Sequence, residues 1–348
     1  MNHFACDKIL AGERKTNYIH TVNSDIMTKL IIQIPCYNEE NSLPMTLEQL
    51  PREVPGVDEV EWLIIDDGSS DRTVEVALEN GVDHVVRLIR HQGLAKGFMA
   101  GIQACLEQGA DIIVNTDADN QYNAGDIPKL IQPILEGKAE IVIGERPIDE
   151  IKHFSPLKKL FQRWGSWMVR KVSQTDIPDA PSGFRAISRE AAMRMHVFSE
   201  YTYTIETIIQ AGQKGMAVVS VPIRTNEDMR ESRLIHSIPA YLSRSMNTIM
   251  RIFMTYRPMA FFMIPGIISF FLGTVLGIRF LYFYLVTRTS AGHIQSLILA
   301  AVLLILGGLL IIIGLIADLI SVNRKLLENV EYRIQRLDEK VEKIRKIS

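Results

Sequence analysis

Three segments decide the fold, and each is an apolar stretch that ends in polar residues. They read KLIIQIPCYNEE over Lys29–Glu40, EWLIIDDGSS over Glu61–Ser70 and DIIVNTDADNQ over Asp111–Gln121. Short apolar runs bounded by turn residues are typical of buried strands, and the stretches between them have helical apolar spacing. Strands that alternate with helices predict an α/β fold, with a mostly parallel sheet covered on both faces. The predicted strands are Lys29–Pro35, Glu61–Asp66, Val82–Leu88, Asp111–Asp117 and Ala139–Gly144, and the predicted helices are Leu43–Leu50, Arg72–Asn80, Leu94–Gln108 and Ile127–Glu136.

Polar clusters follow the first, second and fourth of these strands, at 37–39, 66–69 and 117–119. Because ligands of parallel α/β sheets bind beyond the carboxyl ends of the strands, we expect one site at this edge. Asp117 and Asp119, two positions apart, can face one hard cation, and Gln121 adds an amide oxygen. The residues therefore predict a Mg²⁺ or Mn²⁺ site that would hold a diphosphate and neutralise it as it departs. Capping of helices and turns is the alternative for Asp119 and Asp67.

The composition is that of a chain with about two folded units. It has 348 residues and a net charge of −2, which gives no reason to expect nucleic-acid binding. Three widely spaced cysteines, Cys6, Cys36 and Cys105, predict neither a disulfide framework nor a zinc cluster.

Two long uncharged runs follow the α/β region. Pro258–Ile278 and Ile294–Ala317 both reach the roughly 20 apolar residues that a membrane-spanning helix needs. We predict a transmembrane hairpin, with spans at about 259–285 and 294–318; a buried core helix is the alternative for each. Basic residues flank the outer ends of the hairpin, at 244, 251, 257, 324 and 325. The positive-inside rule therefore predicts a multi-pass protein of the cell membrane with both termini and the α/β region in the cytoplasm.

Amphipathic segments lie on both sides of this hairpin. A basic stretch with tryptophans, around 155–173, predicts a helix in the membrane interface, and 237–257 predicts a second one leading into the first span. After the second span, apolar residues recur in steps of three and four, at 327, 330, 334, 337, 341 and 344. This spacing predicts a coiled-coil-like helix over 321–348 and self-association through it and the hairpin. A lone helix on the α/β region or the membrane surface is the alternative. Residues 1–28 have no signal-peptide core and are expected to be a polar extension.

Five short motifs follow one another along residues 29–235. They read PCYNEE (35–40), DDGSSD (66–71), DADNQ (117–121), GER (144–146) and SGFR (182–185). In this order they resemble the motifs of family 2 glycosyltransferases, and more narrowly those of polyprenyl-phosphate glycosyltransferases such as dolichyl-phosphate mannose synthase. The resemblance implies a GT-A catalytic domain over 29–236 and inverting transfer from a nucleotide-diphosphate sugar to undecaprenyl or dolichyl phosphate. The cofactor it implies is Mg²⁺ or Mn²⁺.

The resemblance also implies roles for individual residues. The residues expected at the nucleotide sugar are Pro35, Tyr37, Asn38, Glu39, Asp66, Asp67, Lys96, Asp117, Ala118, Asp119 and Arg233. The residues expected at the metal are Asp117, Asp119 and Gln121. The residues expected at the acceptor phosphate are Arg146, Arg163, Ser182 and Arg185, and those expected to be catalytic are Asp119, Arg146 and Arg163.

Some of these roles have alternatives. A lipid phosphate is already anionic near neutral pH, so cationic positioning matters more than a general base, which favours the arginines. Arg163 could instead be a snorkelling interfacial side chain, and Arg185 a support for the acceptor loop. Lys96, in a glycine-punctuated turn, could reach the donor, or the turn could simply begin a helix. Glu206 is a further candidate on a helix.

Two rival functions are a processive polysaccharide synthase and a membrane scaffold without catalysis. The first needs a Q-x-x-R-W motif, whereas here Gln162, Arg163 and Trp164 are adjacent. The intact acidic set argues against the second. The C-terminal hairpin and tail resemble those of prokaryotic UDP-sugar relatives more than those of minimal GDP-mannose enzymes, which favours a UDP-sugar donor over GDP-mannose.

Overall fold

The structure is a computed structural model that describes residues 27–147, 169–170, 173–197, 203–226, 250–251, 253–287 and 294–347. Several predictions lie outside these residues: almost all of the N-terminal extension, nearly all of the interfacial helix around 155–173, most of the juxtamembrane helix, Arg163 and Arg233.

The described strands form one seven-stranded mixed sheet in the order β3-β2-β1-β4-β6-β5-β7. Its strands are β1 (Lys29–Cys36), β2 (Glu59–Asp66), β3 (His84–Arg87), β4 (Ile112–Asn115), β5 (Ile141–Glu145), β6 (Arg185–Ser188) and β7 (Val218–Pro222). Strands β1 to β4 pair in parallel, which confirms the parallel sheet predicted for this half. Strand β6 runs antiparallel between β4 and β5. With four residues and an arginine at its start, β6 lacked the apolar run that marks the other strands.

Among the described residues six helices cover the sheet, and the first four lie where the apolar spacing predicted helices. They are α1 (Leu43–Gln49), α2 (Thr73–Glu79), α3 (Leu94–Glu107), α4 (Ile127–Leu135), α5 (Arg189–Met193) and α6 (Thr204–Gln213). Two apolar cores result, one on each face of the sheet: Phe98 and Ile102 of α3 are buried in one, and Leu43 and Leu130 in the other. Burial of both faces explains why the parallel strands are mostly apolar rather than alternating between apolar and polar residues.

After the α/β domain the chain forms two long apolar helices, α7 (Pro258–Tyr282) and α8 (Ile294–Ile347). Segments Pro258–Val286 and Ile294–Asp338 have mean hydropathies of 2.1 and 3.1, and by length and composition each could cross a membrane. The two helices pack closely through glycine. A Cβ atom on Gly307 would lie 2.7 Å from the backbone nitrogen of Phe270, so a larger residue would push the helices apart.

The C-terminal part of α8 is continuous with the apolar part and contacts the α/β domain through polar side chains. Lys214 Nζ lies 2.9 Å from Glu328 Oε2, and the Tyr332 hydroxyl bonds Glu190 of α5. The predicted apolar seam lies elsewhere on the helix: Leu327 and Leu337 are 71% and 60% exposed. The polar face of this part of α8 thus rests on the α/β domain, which is one of the two positions predicted for a lone helix. The apolar seam faces away from the domain.

Candidate functional site

The turns after β1 and β2 are joined by hydrogen bonds. Asn38 has a left-handed φ of 54°, and its backbone nitrogen donates to Ser69 Oγ at 2.9 Å. The backbone nitrogen of Ser70 in turn donates to Asn38 Oδ1 at 2.9 Å. Asparagine is one of the few residues that adopts this backbone conformation readily, and its short side chain can bond locally. The two motifs therefore form one structural unit at the carboxyl edge of the sheet.

Two residues predicted at the nucleotide support this unit from inside. Asp66 is fully buried and accepts the backbone N–H of Ser69 at 2.9 Å. Glu39 is also buried; its backbone nitrogen donates to Thr73 Oγ1 at 2.8 Å, and its carboxylate accepts the Ser42 hydroxyl. These contacts give both carboxylates a turn-building role.

Asp67 holds the glycine-punctuated loop that precedes α3. Its two carboxylate oxygens accept the backbone N–H groups of Gln92 and Gly93 at 2.7 and 2.8 Å, and His91 Nδ1 lies 2.8 Å away. Gly93 is the N-cap residue of α3, so the loop leads directly into the helix; the donor contact of Lys96 stays a prediction. Lys96 is on the exposed side of the first turn.

An exposed aromatic surface lies at the mouth of this region. The Tyr37 ring is 39% exposed and stacks on the His91 ring with centroids 4.0 Å apart. Pro35 is the penultimate residue of β1 and places this turn at the strand end. A flat pair of rings of this kind suits stacking against a nucleobase.

Asp117 and Asp119 follow β4 at the centre of the same edge. Burial, with the added charge of Asp119, raises the pKa of Asp117 to about 7. Asp119 accepts the backbone N–H of Gln121 at 3.2 Å. Asn120, which follows Asp119, has a left-handed φ of 56°, so the chain turns directly after the second aspartate. Mutual repulsion of two carboxylates is what a divalent cation would relieve.

The surroundings of Asp117 are shaped by three residues. The Tyr122 hydroxyl hydrogen-bonds the Asp117 carboxylate and accepts the backbone N–H of Gly183 at 3.0 Å. A Cβ atom on Gly183 would lie 3.0 Å from Asp117 Oδ2, so glycine leaves room for the carboxylate. Ala118 is buried, and its carbonyl accepts the Thr46 hydroxyl at 2.9 Å.

The number of acidic ligands is small. Among the residues that the structure describes, no group of three or more His, Cys, Asp or Glu side chains could hold a metal ion. Two carboxylates nevertheless fit Mg²⁺ or Mn²⁺ bound with a diphosphate, since such ions are commonly held by one or two carboxylates plus phosphate oxygens and water. Gln121 as a third ligand stays a prediction.

Arg146 lies at the end of β5 and is engaged by a buried acid. Its Nε and Nη2 donate to the two carboxylate oxygens of Asp179 at 2.7 and 3.0 Å. Asp179 is 0% exposed and the Arg146 side chain 10%. Although burial opposes its charge, the negative groups around it, including Asp179 and Asp117, raise the pKa of Arg146. The structure thus places a permanent cation near the aspartate pair.

The other two described residues expected at the acceptor phosphate point inward. Arg185 is 0% exposed, and its guanidinium donates to Thr207 Oγ1 at 2.6 Å and to the Ser182 carbonyl. Ser182 is also 0% exposed. Neither side chain is therefore placed to contact a phosphate directly in this conformation. Arg185 supports the loop before β6, which is the alternative that its sequence left open.

Several residues that build the site were missed from the sequence. Asn115 Nδ2 donates to the Gly183 carbonyl and to the Tyr203 hydroxyl, both at 2.9 Å, and Gln33 donates to Asn115 Oδ1 at 2.9 Å. Asp179 was missed as well. A polar residue inside an apolar strand, as at 33 and 115, is the signal that could have identified this network, because buried polar groups need partners.

A mixed sheet with helices on both faces and two aspartates at its central carboxyl edge is the architecture of the GT-A fold. Residues 31–195 match the model of glycosyl transferase family 2. The undecaprenyl-phosphate mannosyltransferase of Micrococcus luteus is 28% identical over 59% of this chain and 87% of that relative. The UDP-N-acetylglucosamine–dolichyl-phosphate N-acetylglucosaminyltransferase of Methanococcus voltae is 32% identical over 55% of this chain and 83% of that relative.

A solved structure has the same fold. Glucosyl-3-phosphoglycerate synthase from Mycobacterium tuberculosis, in complex with Mn²⁺, UDP and glucosyl-3-phosphoglycerate, matches at a TM-score of 0.51 and 19% identity. The match covers 66% of this chain and 80% of that one. The chain belongs to glycosyltransferase family 2 and is a glycosyltransferase, as its motifs predicted.

Proposed function

We propose that this enzyme moves a sugar from a nucleotide-diphosphate donor to a polyprenyl phosphate at the cytoplasmic face of a membrane. The observation that carries the proposal is that one domain has both an aspartate pair beside Arg146 and a contact with the apolar hairpin. The named acceptors of the two relatives, undecaprenyl and dolichyl phosphate, support the lipid assignment.

Asp117 and Asp119 would hold Mg²⁺ or Mn²⁺ with the donor diphosphate. When bound, the ion supplies charge that stabilises the departing nucleoside diphosphate. The two carboxylates would hold this ion, while the Tyr122 hydroxyl keeps Asp117 in place. The Tyr37–His91 rings offer a stacking surface for the base, and exposed Lys96 would offer its ammonium group to the donor.

A phosphate oxygen of the lipid attacks the anomeric carbon as the bond to the donor diphosphate breaks, with inversion. The phosphate is already anionic, so no proton has to be removed first. Arg146 favours the approach of two anions because its charge is fixed and partly shielded from water. Arg163 and Arg233 remain predicted partners of the phosphates, and both are outside the described residues.

Orientation and donor are part of the proposal. The basic residues at the outer ends of the hairpin favour a cytoplasmic catalytic domain. A UDP-sugar is the favoured donor; the named activity of the Micrococcus luteus relative makes a mannose donor the second candidate. A processive synthase is disfavoured, because the two candidate membrane helices described here would not enclose a polymer channel by themselves.

A transfer assay tests the proposal. The full chain in vesicles that contain undecaprenyl phosphate is mixed with Mn²⁺ and UDP-glucose, UDP-N-acetylglucosamine or GDP-mannose, each labelled in the sugar. We expect label to enter the lipid from one donor and Asp119→Ala to abolish this transfer. Absence of lipid labelling with every donor, together with no thermal stabilisation by any of them, would refute the assignment.

We also propose that two copies associate through the seam of α8. Its apolar members are exposed: Leu327, Val330, Ile334, Leu337 and Val341. Because the seam and the apolar part belong to one uninterrupted helix, the seams of two copies in one membrane would run parallel and in register. In such a pair Arg333 of one copy faces Asp338 of the other, as opposite charges flank a parallel seam.

A further inference from the structure

Helix α6 connects the candidate site to the base of the hairpin. At its N-terminal end, the hydroxyl of Tyr203 accepts a hydrogen bond from Asn115 at 2.9 Å. One turn on, Thr207 accepts from Arg185 at 2.6 Å. The helix has 10 residues and is therefore about 15 Å long. A short, hydrogen-bonded helix of this kind behaves as a rigid rod between its two ends.

The far side of α6 holds Tyr256, which lies two residues before α7. The Tyr256 hydroxyl donates to Glu206 Oε1 and accepts from Gln210 Nε2, both at 2.8 Å. Its backbone carbonyl accepts from Gln213 Nε2 at 3.1 Å. Tyr256 and Glu206 are 6% and 3% exposed, so this bond is shielded from water. Glu206, Gln210 and Gln213, which lie on successive turns of one face of α6, thus all bond to Tyr256 at the start of the hairpin.

The second arm of the hairpin meets Tyr256 as well. Arg324, in α8 just past its apolar part, has its guanidinium carbon 4.5 Å from the centroid of the Tyr256 ring. One turn further, Glu328 pairs with Lys214 directly after α6. Tyr256, at the start of the first hairpin helix, therefore contacts both the catalytic domain and the second hairpin helix. This contact lies at the level where the chain would leave the bilayer.

The packing at this junction is not dense. A cavity of about 430 Å³ lies beside Tyr256, lined by polar residues that include Arg194, Gln213 and Asn329. The Tyr256 ring also belongs to the apolar core on this face of the sheet, so the junction combines apolar packing of the ring with the polar contacts of its hydroxyl and carbonyl groups.

We propose that Tyr256 is a positioning residue that sets the height and tilt of the catalytic site above the membrane, and thereby the use of a membrane-embedded acceptor. The inference rests on the proposed function. The donor arrives from water and is bound by the domain alone. The acceptor phosphate is held at one depth in the bilayer, so its alignment with the donor depends on where α6 holds the domain. Misplacement of reacting groups by about 1 Å costs on the order of 100-fold in rate.

The test compares two acceptors on the full chain reconstituted in vesicles. Undecaprenyl phosphate resides in the bilayer, whereas geranyl phosphate is short enough to react from water. Tyr256→Phe removes the hydroxyl and keeps the ring for Arg324. We expect transfer to undecaprenyl phosphate to fall about 10-fold, while transfer to geranyl phosphate and the donor KM stay within about twofold.

Glu206→Gln provides the second variant, since it keeps the shape of the side chain and weakens the bond to Tyr256. If the two residues act as one unit, the double variant loses no more than Tyr256→Phe alone. Tyr282→Phe is the matched control, because it removes an exposed hydroxyl from the same hairpin.

An equal fall with both acceptors, or no fall with either, would overturn the positioning role. Failure of the wild-type chain to label either acceptor would instead refute the proposed function.

Discussion

The charge of Asp117 should make the metal-free enzyme less stable as the pH rises. The pKa of this carboxyl is raised to about 7 by burial and by Asp119, whereas an unfolded chain has a value of about 3.9. Because the folded-state pKa is the higher one, the cost is absent below about pH 4, grows between pH 4 and pH 7, and is complete above pH 7. Asp117→Asn removes this charge and keeps an oxygen that can accept from Tyr122.

The size of the effect follows from these values. At about 1.4 kcal/mol for each pKa unit, full ionisation costs at most about 4 kcal/mol. Asp117 is only partly buried and hydrogen-bonds Tyr122, so relaxation should reduce the cost to about 2 kcal/mol. In a domain of this size that corresponds to about 4–8 °C in Tm.

The assay is thermal unfolding of the full chain in detergent with EDTA at pH 8 and pH 5. We expect Asp117→Asn to unfold about 4–8 °C above wild type at pH 8, with less than half that difference at pH 5. Added Mn²⁺ and UDP should stabilise wild type and leave the variant nearly unchanged. Asp176→Asn, at a side chain 95% exposed, is the control and should shift Tm by less than about 1 °C.

The reasoning fails if Asp117→Asn lowers Tm equally at both pH values, because the carboxylate would then be stabilising the fold. It also fails if Mn²⁺ stabilises wild type and Asp117→Asn to the same extent.

Three further results are expected. Arg146→Ala should lower the free energy of unfolding by about 3 kcal/mol or more, since it leaves the buried Asp179 carboxylate unpaired. Urea unfolding measures this loss. If the Arg146→Ala/Asp179→Ala double variant loses as much stability as the two single variants together, the two side chains do not act as a pair. Tyr122→Phe should cost about 1–3 kcal/mol and weaken the Mn²⁺ response, because Gly183 and Asp117 both lose a partner; an unchanged melting curve would exclude that role. Leu337→Asp should reduce the protein mass in detergent, measured by light scattering, to that of one chain. Asn329→Asp, which lies off the seam, should leave the mass unchanged. Identical masses for both variants and wild type would exclude the seam as the contact between copies.

Much of the α/β domain was predictable because its signals are local. The central parallel strands are buried on both faces, so β1, β2 and β4 consist mostly of apolar residues and are followed directly by polar ones. The same abruptness placed the motifs at the carboxyl ends of the strands. The two candidate membrane helices were equally visible, since a bilayer requires long uncharged runs.

Roles of individual side chains were less predictable, because a motif does not say which way each member faces. Asp66 and Arg185 belong to motifs that identify the family, yet both are fully buried and hold turns or loops. Asp67 and Arg146 belong to the same motifs and also bond to the protein, through the loop before α3 and through Asp179.

The sequence by itself determined the parallel half of the sheet, the positions of the polar motifs, the apolar hairpin and the membership of glycosyltransferase family 2. Only the tertiary structure decided that Asp179 pairs with Arg146, that β6 lies between β4 and β5, and that side chains of α6 hydrogen-bond to Tyr256. The physical reason is distance along the chain. Strand burial and membrane length leave periodic patterns within a few residues, whereas a buried ion pair or a hydrogen bond between remote segments depends on packing that no local pattern records.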